Sequence, residues 1–455
     1  MARIRARSAL ATDGWCSDVD VTIAPDGRIA AVGPHTGVAD LSVDLLLPAP
    51  TNLHSHSFQR AMAGLAEARG MHAYDSFWTW RTLMYRFLQH LSPDHIEAIA
   101  AQVFKEMAEA GYAAVAEFHY LHHAADGQPY DHRAEMAERI AAAAAETGIG
   151  LTLLPVHYEF GGCDRRMLEG GQKRFGNSRD RFAELHLASR EVITRGFEDW
   201  AIGVAPHSLR AVDHAGLRQA GDLVPGGPFH MHLAEQVAEV EDVMASLNAR
   251  PVEWVLANLP VDGHCCFIHC TQTTRDETRR LAKSGAVAGL CPITESSLGD
   301  GIFSGVEYLQ AGGSFGFGSD SNIHISLWDE MRTLEYSQRL RDQQRVLLAS
   351  SHHSTGRRLY DAALEGGARA AGRSSGGLRP GHWADLLAIS TRNEILCSRN
   401  GDTLLDSLVF SGRGQNCITD VWSAGRHIVR NGRHVRHERV TARFMSVLHD
   451  LEQAM

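Results

Sequence analysis

The sequence predicts an α/β protein: a (β/α)8 TIM-like barrel, with a small β-sandwich domain built from both chain termini. Three observations carry this. Eight short β-like runs alternate with longer helical patterns through the middle of the chain. Polar residues end nearly every one of those runs, where a barrel opens its mouth. The two ends of the chain carry β-like runs and turn signals instead, with too few strands each to close a core. The expected boundaries are 1–48 plus 376–455 for the β domain and 49–375 for the barrel. An open doubly wound sheet shares the alternation, but the unit count and the polar strand ends favour closure.

Taken in order, residues 1–48 hold "DVDVTIAPDGRIAAVG", two β-like runs about Asp26-Gly27, a favoured two-residue hairpin turn. The barrel runs begin with "LLLPAPTNLHSH" (45–56), "GYAAVAEFHY" (111–120), "GIGLTLLPVHY" (148–158) and "WAIGVAPHSL" (200–209). They continue with "GPFHMHLAE" (227–235), "HCCFIHC" (264–270), "GAVAGLCPITE" (285–295) and "GGSFGFGSDSN" (312–322). Between them "SPDHIEAIAAQVFKEMAEAG" predicts a helix with Ser92 as N-cap and Pro93 as its first residue. "DHRAEMAERIAAAAAETG" predicts another, closed by Gly148. Residues 376–440 return to β-like runs, with Asn431-Gly432 as a second hairpin turn.

Bulk properties narrow the function. The 455 residues are 44% hydrophobic and 22% charged, as in an ordinary globular protein. A net charge of -10 argues against a nucleic-acid partner, which needs a basic patch. No stretch approaches the ~18 apolar residues of a membrane span. The N-terminus has arginines but no apolar signal core. The eight cysteines are scattered, without C-x-x-C pairs, which fits reduced thiols and a cytoplasmic location. A small-molecule substrate is therefore expected, with no membrane partner.

The chemistry sits at the strand ends. "TNLHSHSFQR" places His54 and His56 two apart, so on a strand both face one side. "HMHLAE" offers His230, His232 and Glu235, "FIHC" offers His269, and "GSDSN" offers Asp320. One such histidine is usually a core residue. These five further potential ligands or proton carriers, added to His54 and His56 at one barrel mouth, point to a divalent metal, which takes imidazole and carboxylate at ~2.0–2.2 Å. His230 and His232 face the same way. His232 is nearer the strand end and carries a glutamate three residues on, so it is preferred as ligand and His230 as a packing residue. The H-x-E plus P-C-x-x-C pattern of the nucleic-acid cytidine deaminases is missing, since Cys291-Pro292 runs in the wrong order.

The set His54-x-His56, His232-x-x-Glu235, His269 and Asp320 resembles the amidohydrolase superfamily, in its cytosine/guanine-deaminase-like branch. The stretches "NLHSHSFQRAMAGLAEARG", "DSFWTWRTLMYRF", "VAEFHYLHH", "CPITESSLGDGIF" and "LRPGHWADLLAI" extend the similarity over nearly the whole chain. Many relatives in the branch have asparagine where Glu295 stands, which points away from the purine and pyrimidine deaminases. The resemblance implies one divalent metal, zinc in most relatives, on His54, His56, His232 and Asp320. Binuclear relatives use a carbamylated lysine after the fourth strand. "GVAPHSLRA" has none, so a mononuclear site is expected.

The implied roles follow. Asp320 takes a proton from water, Glu235 protonates an imine nitrogen, and His269 steadies the tetrahedral intermediate. The implied substrate is a small dicarboxylate, N-formimino-L-glutamate, hydrolysed to N-formyl-L-glutamate and ammonia in histidine degradation. Gln59, Trp80, Arg81, Tyr120, His207 and Arg210 are expected to line its binding side, because guanidinium forks match carboxylates. A homodimer is what the family suggests. Two alternatives stay open: a hydrolase of another C=N substrate, such as guanine, an adenosine derivative or a guanidino acid, and a metal-free barrel that acts by binding. The long segment 57–91 reads as a cover over the mouth or a dimer contact.

Overall fold

The structure, a computed structural model, describes residues 1–67 and 77–454. Its centre is the expected barrel. Parallel strands run Thr51–Ser55, Ala114–His119, Gly150–His157, then a fourth in two pieces, Ala201–Ile202 and Ala205–Pro206. Phe229–Leu233, Cys265–His269, Val287–Leu290 and Ser314–Phe317 complete the set. The bridge Val204↔Phe229 joins the fourth strand to the fifth, and Ser55↔Asp320 joins the eighth to the first, so the ring closes.

The sequence predicts one continuous fourth strand, and the structure breaks it at Gly203. Gly203 N donates to Leu153 O on the third strand (2.9 Å), while Val204 N donates to Pro228 O beside the fifth (2.9 Å). The backbone changes partner there. A side chain would not fit, since a Cβ on Gly203 would lie 2.6 Å from both Leu154 and the Pro228 carbonyl.

Helix ends follow the local chemistry. Ser92 Oγ accepts from His95 N (3.2 Å) at the start of helix Pro93–Glu109. Helix Glu135–Thr147 stops at Gly148, whose φ of 72° is the left-handed conformation that glycine adopts without strain.

Both termini build one eight-stranded sheet. Its spatial order is Arg433–His434, Arg426–Arg430, Ile418–Ser423, Leu386–Ile389, Leu41–Pro48, Ala2–Ala11, Gly14–Ile23, Ile29–Pro34. Ile4, Val21, Ile29, Leu46, Leu386 and Trp422 pack in one core, so strands far apart in the sheet meet face to face. The bridge Arg28↔Trp383 and the bond from Ala384 N to Gly27 O (2.9 Å) fasten the far hairpin across that core. The Asp26-Gly27 connection is therefore wider than a two-residue turn. Pairing ends at Ile23↔Ile29, and Ala24 N closes a loop onto Arg28 O (2.8 Å). Asn431-Gly432 does form a two-residue hairpin, with Arg430 paired directly to Arg433 and φ of 54° and 75° at the two turn residues. The last helix, His437–Ala454, packs on Pro93–Glu109 at the outside of the barrel, where Arg443 meets Glu97 (2.9 Å) and Glu146 (2.7 Å). Among the described residues, no helix is long and apolar enough to cross a membrane.

Sheet and barrel are clamped by a buried ion network. Arg373 donates to Asp385 (2.7 and 3.0 Å) and to the side chain of Asp199 (2.8 Å), and Arg426 grips Asp199 again (2.7 Å). Burial disfavours the Asp199 charge, but Arg426 and Arg373 outweigh it and hold its carboxyl below the usual range. A depressed carboxyl pKa contributes stability above its unfolded value near ~3.9 and loses it as pH falls. Stability is thus expected to drop on acidification below about pH 4. Arg373→Met strands the buried Asp385 carboxylate, leaves Asp199 to Arg426 alone, and should cost about 3–5 kcal/mol in urea unfolding at pH 7, whereas a loss under about 1 kcal/mol would contradict the clamp.

Candidate metal centre and pocket

The seam between the first and eighth strands builds the site. Ser319 N and Asp320 N both donate to His54 O (3.0 Å each), and His56 N donates to Asp320 O (2.9 Å). Beneath them Asn52 bonds Ser319 Oγ (2.7 Å), Ser319 Oγ bonds Asn322 (2.6 Å), and Asn322 bonds Ser55 Oγ (3.1 Å). All four side chains are buried, and the network ties both strand ends together. The strands approach so closely at Gly318 that a Cβ there would lie 2.7 Å from His54 Cβ and its carbonyl oxygen. Asp320, Asn322, His269, Cys270 and Ala234 all adopt positive φ, between 45° and 70°. Non-glycine residues in that region cost about 1–3 kcal/mol each and persist where surrounding bonds over-determine them.

Four buried side chains converge above this seam. One ligand atom from each of His54, His56, His232 and Asp320 lies within 4.8 Å of the others. His54 Nε2 and His56 Nε2 stand 3.3 and 3.2 Å from Asp320 Oδ1. Ligands on ~2.1 Å tetrahedral bonds are about 3.4 Å apart, so the spacing fits a small divalent ion. His56 Nδ1 donates to Phe118 O (3.0 Å) and His232 Nδ1 to His207 O (3.1 Å), which leaves the Nε2 lone pairs free to bind. Among the described residues His54 has no hydrogen-bond partner on either ring nitrogen, and burial lowers its pKa to about 3, so it is a neutral donor. A buried imidazole with an unpaired nitrogen aimed at a carboxylate is what an ion would satisfy. His230 faces elsewhere, bonded through Nε2 to Ala370 O (2.8 Å).

Glu235 and His269, the residues expected to protonate the imine and to steady the intermediate, stand beside this cluster. Glu235 is buried, 3.7 Å from His269 Nε2 and 3.6 Å from Arg210. Burial raises its pKa, against the pull of His269 and Arg210. His269 Nδ1 faces Glu295 (3.3 Å), which turns Nε2 toward the site. Burial opposes a charge on His269, yet Glu235, Glu295 and Asp320 outweigh it and push its pKa to about 10. A cation on the four ligands would counter those carboxylates and bring the value down. Asp320 is held below the usual carboxylate range: burial works against its charge, and His54, His56 and His269 overcome that.

The pocket above the cluster is lined by Gln59, Trp80, Arg81, Tyr120, His207 and Arg210, together with His56, His232, Glu235, His269 and Asp320. His54 sits behind it, against Asp320. Gln59 donates to Tyr120 OH (2.8 Å), and Arg81 donates to Tyr85 OH (2.7 Å) and Tyr158 OH (3.2 Å). The turn Ser57–Met62 and the helix Phe77–Leu88 carry Gln59, Trp80, Arg81, Met84 and Tyr85 into the lining, while residues 68–76 of the expected cover lie outside the described residues.

Sequence reasoning missed Tyr85, Tyr158 and Phe175 in the lining. Tyr158 follows the third strand, the same polar strand-end signal that marks the other site residues. Tyr85 stands four residues after Arg81, one helical turn on. Glu239 was also missed: its carboxylate accepts from Ala234 N (3.2 Å) and Glu235 N (3.0 Å) and so fixes the turn that carries Glu235.

The family model described as the amidohydrolase family matches residues 45–428. The formimidoylglutamate deiminase of Pseudomonas aeruginosa is 45% identical over 458 residues, 99% of this chain and 100% of that protein. A crystal structure of an amidohydrolase from Brucella melitensis superposes with a TM-score of 0.95 at 45% identity, covering 99% of this chain and 100% of that one. An adenosine deaminase from Xanthomonas campestris with bound zinc shares the fold, with a TM-score of 0.82 at 20% identity over 99% of this chain and 98% of that one.

Gly318→Ala tests the seam. It drives a methyl into the His54 backbone and should weaken metal affinity by roughly 10–100-fold in chelator competition, with the circular dichroism spectrum kept. Unchanged affinity would contradict the placement of the ligands by strand closure.

Proposed function

The chain belongs to the amidohydrolase family, and on that premise we propose that it hydrolyses N-formimino-L-glutamate to N-formyl-L-glutamate and ammonia. The observation that carries the reading is one pocket, set against a four-residue candidate metal cluster, that is lined by a buried acid and two arginines. The identity to a formimidoylglutamate deiminase along the whole chain supports the choice of substrate.

His54, His56, His232 and Asp320 would hold the ion, and three imidazoles with one carboxylate suit zinc. When bound, zinc supplies Lewis acidity and lowers the pKa of water from 15.7 toward ~7. The remaining chemistry belongs to the side chains. Asp320, kept anionic by its histidines, accepts a proton from the attacking water. The water oxygen bonds the formimino carbon, and the C=N bond becomes single. Glu235, whose pKa burial raises, gives its proton to the terminal nitrogen of that bond. Transfer of the second water proton lets ammonia leave with the electrons of the broken C–N bond, and a formyl carbonyl forms. His269 faces Glu235 and Asp320 through Nε2 and stabilises the negative charge on the oxygen.

Arg210 and Arg81 pair with the two carboxylates of the substrate. Arg210, 3.6 Å from Glu235, serves the carboxylate nearer the reacting carbon. Gln59, Tyr120 and His207 complete the polar wall, and Trp80 covers it. Guanine has no carboxylate to meet the arginines, which disfavours it as substrate.

The direct test is ammonia release by the zinc-loaded protein. Release from N-formimino-L-glutamate that a chelator abolishes, with none from guanine, is expected. No release from protein verified to hold one zinc would overturn the substrate. Glu235→Gln should keep the metal and lose ~10²–10⁴ in kcat, and full retained activity would remove Glu235 as proton carrier. Arg210→Met should raise KM by about 10–100-fold with metal retained, and an unchanged KM would take Arg210 out of carboxylate binding.

A further inference from the structure

The loop "ESSLGDGI" after the seventh barrel strand carries an acid that this chemistry does not use. Asp300 is 1% exposed. Its neighbours Gly299 and Gly301 have φ of 70° and 115°, and its backbone N donates to Glu295 O (3.0 Å). The loop is thereby folded under helix Pro292–Leu298. Asp300 Oδ1 accepts from the Gln236 side-chain amide, and its backbone carbonyl accepts from the Gln272 amide. A Cβ on Gly301 would lie 2.6 Å from Gln272 Nε2, so glycine is what admits that amide. Asp300 Oδ2 is buried and has no hydrogen-bond partner among the described residues.

Gln236 follows Glu235 directly. The turn they share is held on its other sides. Glu239 takes the amides of Ala234 and Glu235, Thr271 Oγ1 donates to Glu235 O (2.6 Å), and Gln272 N donates to Ala234 O (2.8 Å). Asp300 adds the side-chain tether. We propose that Asp300 is a positioning residue for Glu235, fixing through Gln236 the turn that presents the Glu235 carboxyl to the substrate. This rests on the reading of Glu235 as proton carrier.

An ionised Asp300 would be poorly served. Glu235, Glu295 and Asp320 all act on it with like charge, and His269 opposes them. Burial first, then Glu235, raises its pKa to about 9, which favours the neutral acid. Held that way, it anchors Gln236 without adding a charge beside Glu235. An asparagine can do the same work: it is neutral, nearly isosteric, and keeps the oxygen that Gln236 needs. An alanine cannot.

The experiment compares Asp300→Asn, Asp300→Ala, Gln236→Met and the double variant Asp300→Ala/Gln236→Met. Asp300→Ala should lower kcat by roughly 10–100-fold, the scale of a misplaced catalytic group, with KM and metal content unchanged. Asp300→Asn should keep most of the turnover and the wild-type pH profile. The double variant should be no slower than Asp300→Ala. Wild-type kcat in Asp300→Ala, an Asn variant as slow as the Ala variant, or defects that multiply would each overturn the proposal.

Two readouts need no turnover. The infrared difference between wild type and Asp300→Asn at pH 7 should contain the carbonyl stretch of one protonated carboxyl. A crystal structure of Asp300→Ala should show Glu235 displaced. Lack of that band, or an unmoved Glu235, overturns the proposal even if N-formimino-L-glutamate proves not to be the substrate. Should Asp300→Ala fail to fold, Asp300→Asn and Gln236→Met decide the question by the same criteria.

Discussion

Closure of the barrel between its first and eighth strands is the interaction on which the site depends. One carbonyl, His54 O, accepts the amides of Ser319 and Asp320, and Asp320 returns its own carbonyl to His56 N. Those bonds place two imidazoles within 3.3 Å of a carboxylate of the same cluster. The fifth strand adds His232, whose ring is turned by a carbonyl at the end of the fourth. A barrel left open here would scatter its ligands, because the two strands meet nowhere else in sequence.

The arrangement carries a cost. Five non-glycine residues around the mouth hold left-handed backbone. Strained φ values cost about 1–3 kcal/mol each. The surrounding structure offsets this with stiff support. The Asn52–Ser319–Asn322–Ser55 network holds the seam, Glu239 and Thr271 hold the Glu235 turn, and Glu295 aims His269. The Arg373 clamp does the same at domain scale, locking the two-terminus sheet against the barrel. Ligand binding at a preorganised site then needs little rearrangement.

Much of this was legible in the sequence, for physical reasons. A barrel strand alternates its faces, so a polar residue at the last inward position stands out against an apolar run. His54, His56, His232, His269 and Asp320 were visible that way, and Arg210 and Tyr120 by position just beyond a strand. What was not legible acts through backbone or through distance along the chain. Glu239 and Asp300 look like ordinary helix-start and loop acids until the fold brings them to the Glu235 turn. The break at Gly203 depends on packing by Leu154 and Pro228, which no local pattern shows. The Asp26-Gly27 turn widens because Gly27 O is taken by Ala384, more than 350 residues away. The choice of formiminoglutamate rests on resemblance together with the arginines placed at the strand ends.

The central claim is that strand closure makes a single metal site from His54, His56, His232 and Asp320. The most direct measurement is anomalous diffraction at the zinc edge from crystals of the zinc-loaded protein. The account predicts one peak, bonded at about 2.0–2.2 Å to those four side chains. A peak elsewhere, a second peak of equal height, or none at this position would contradict it.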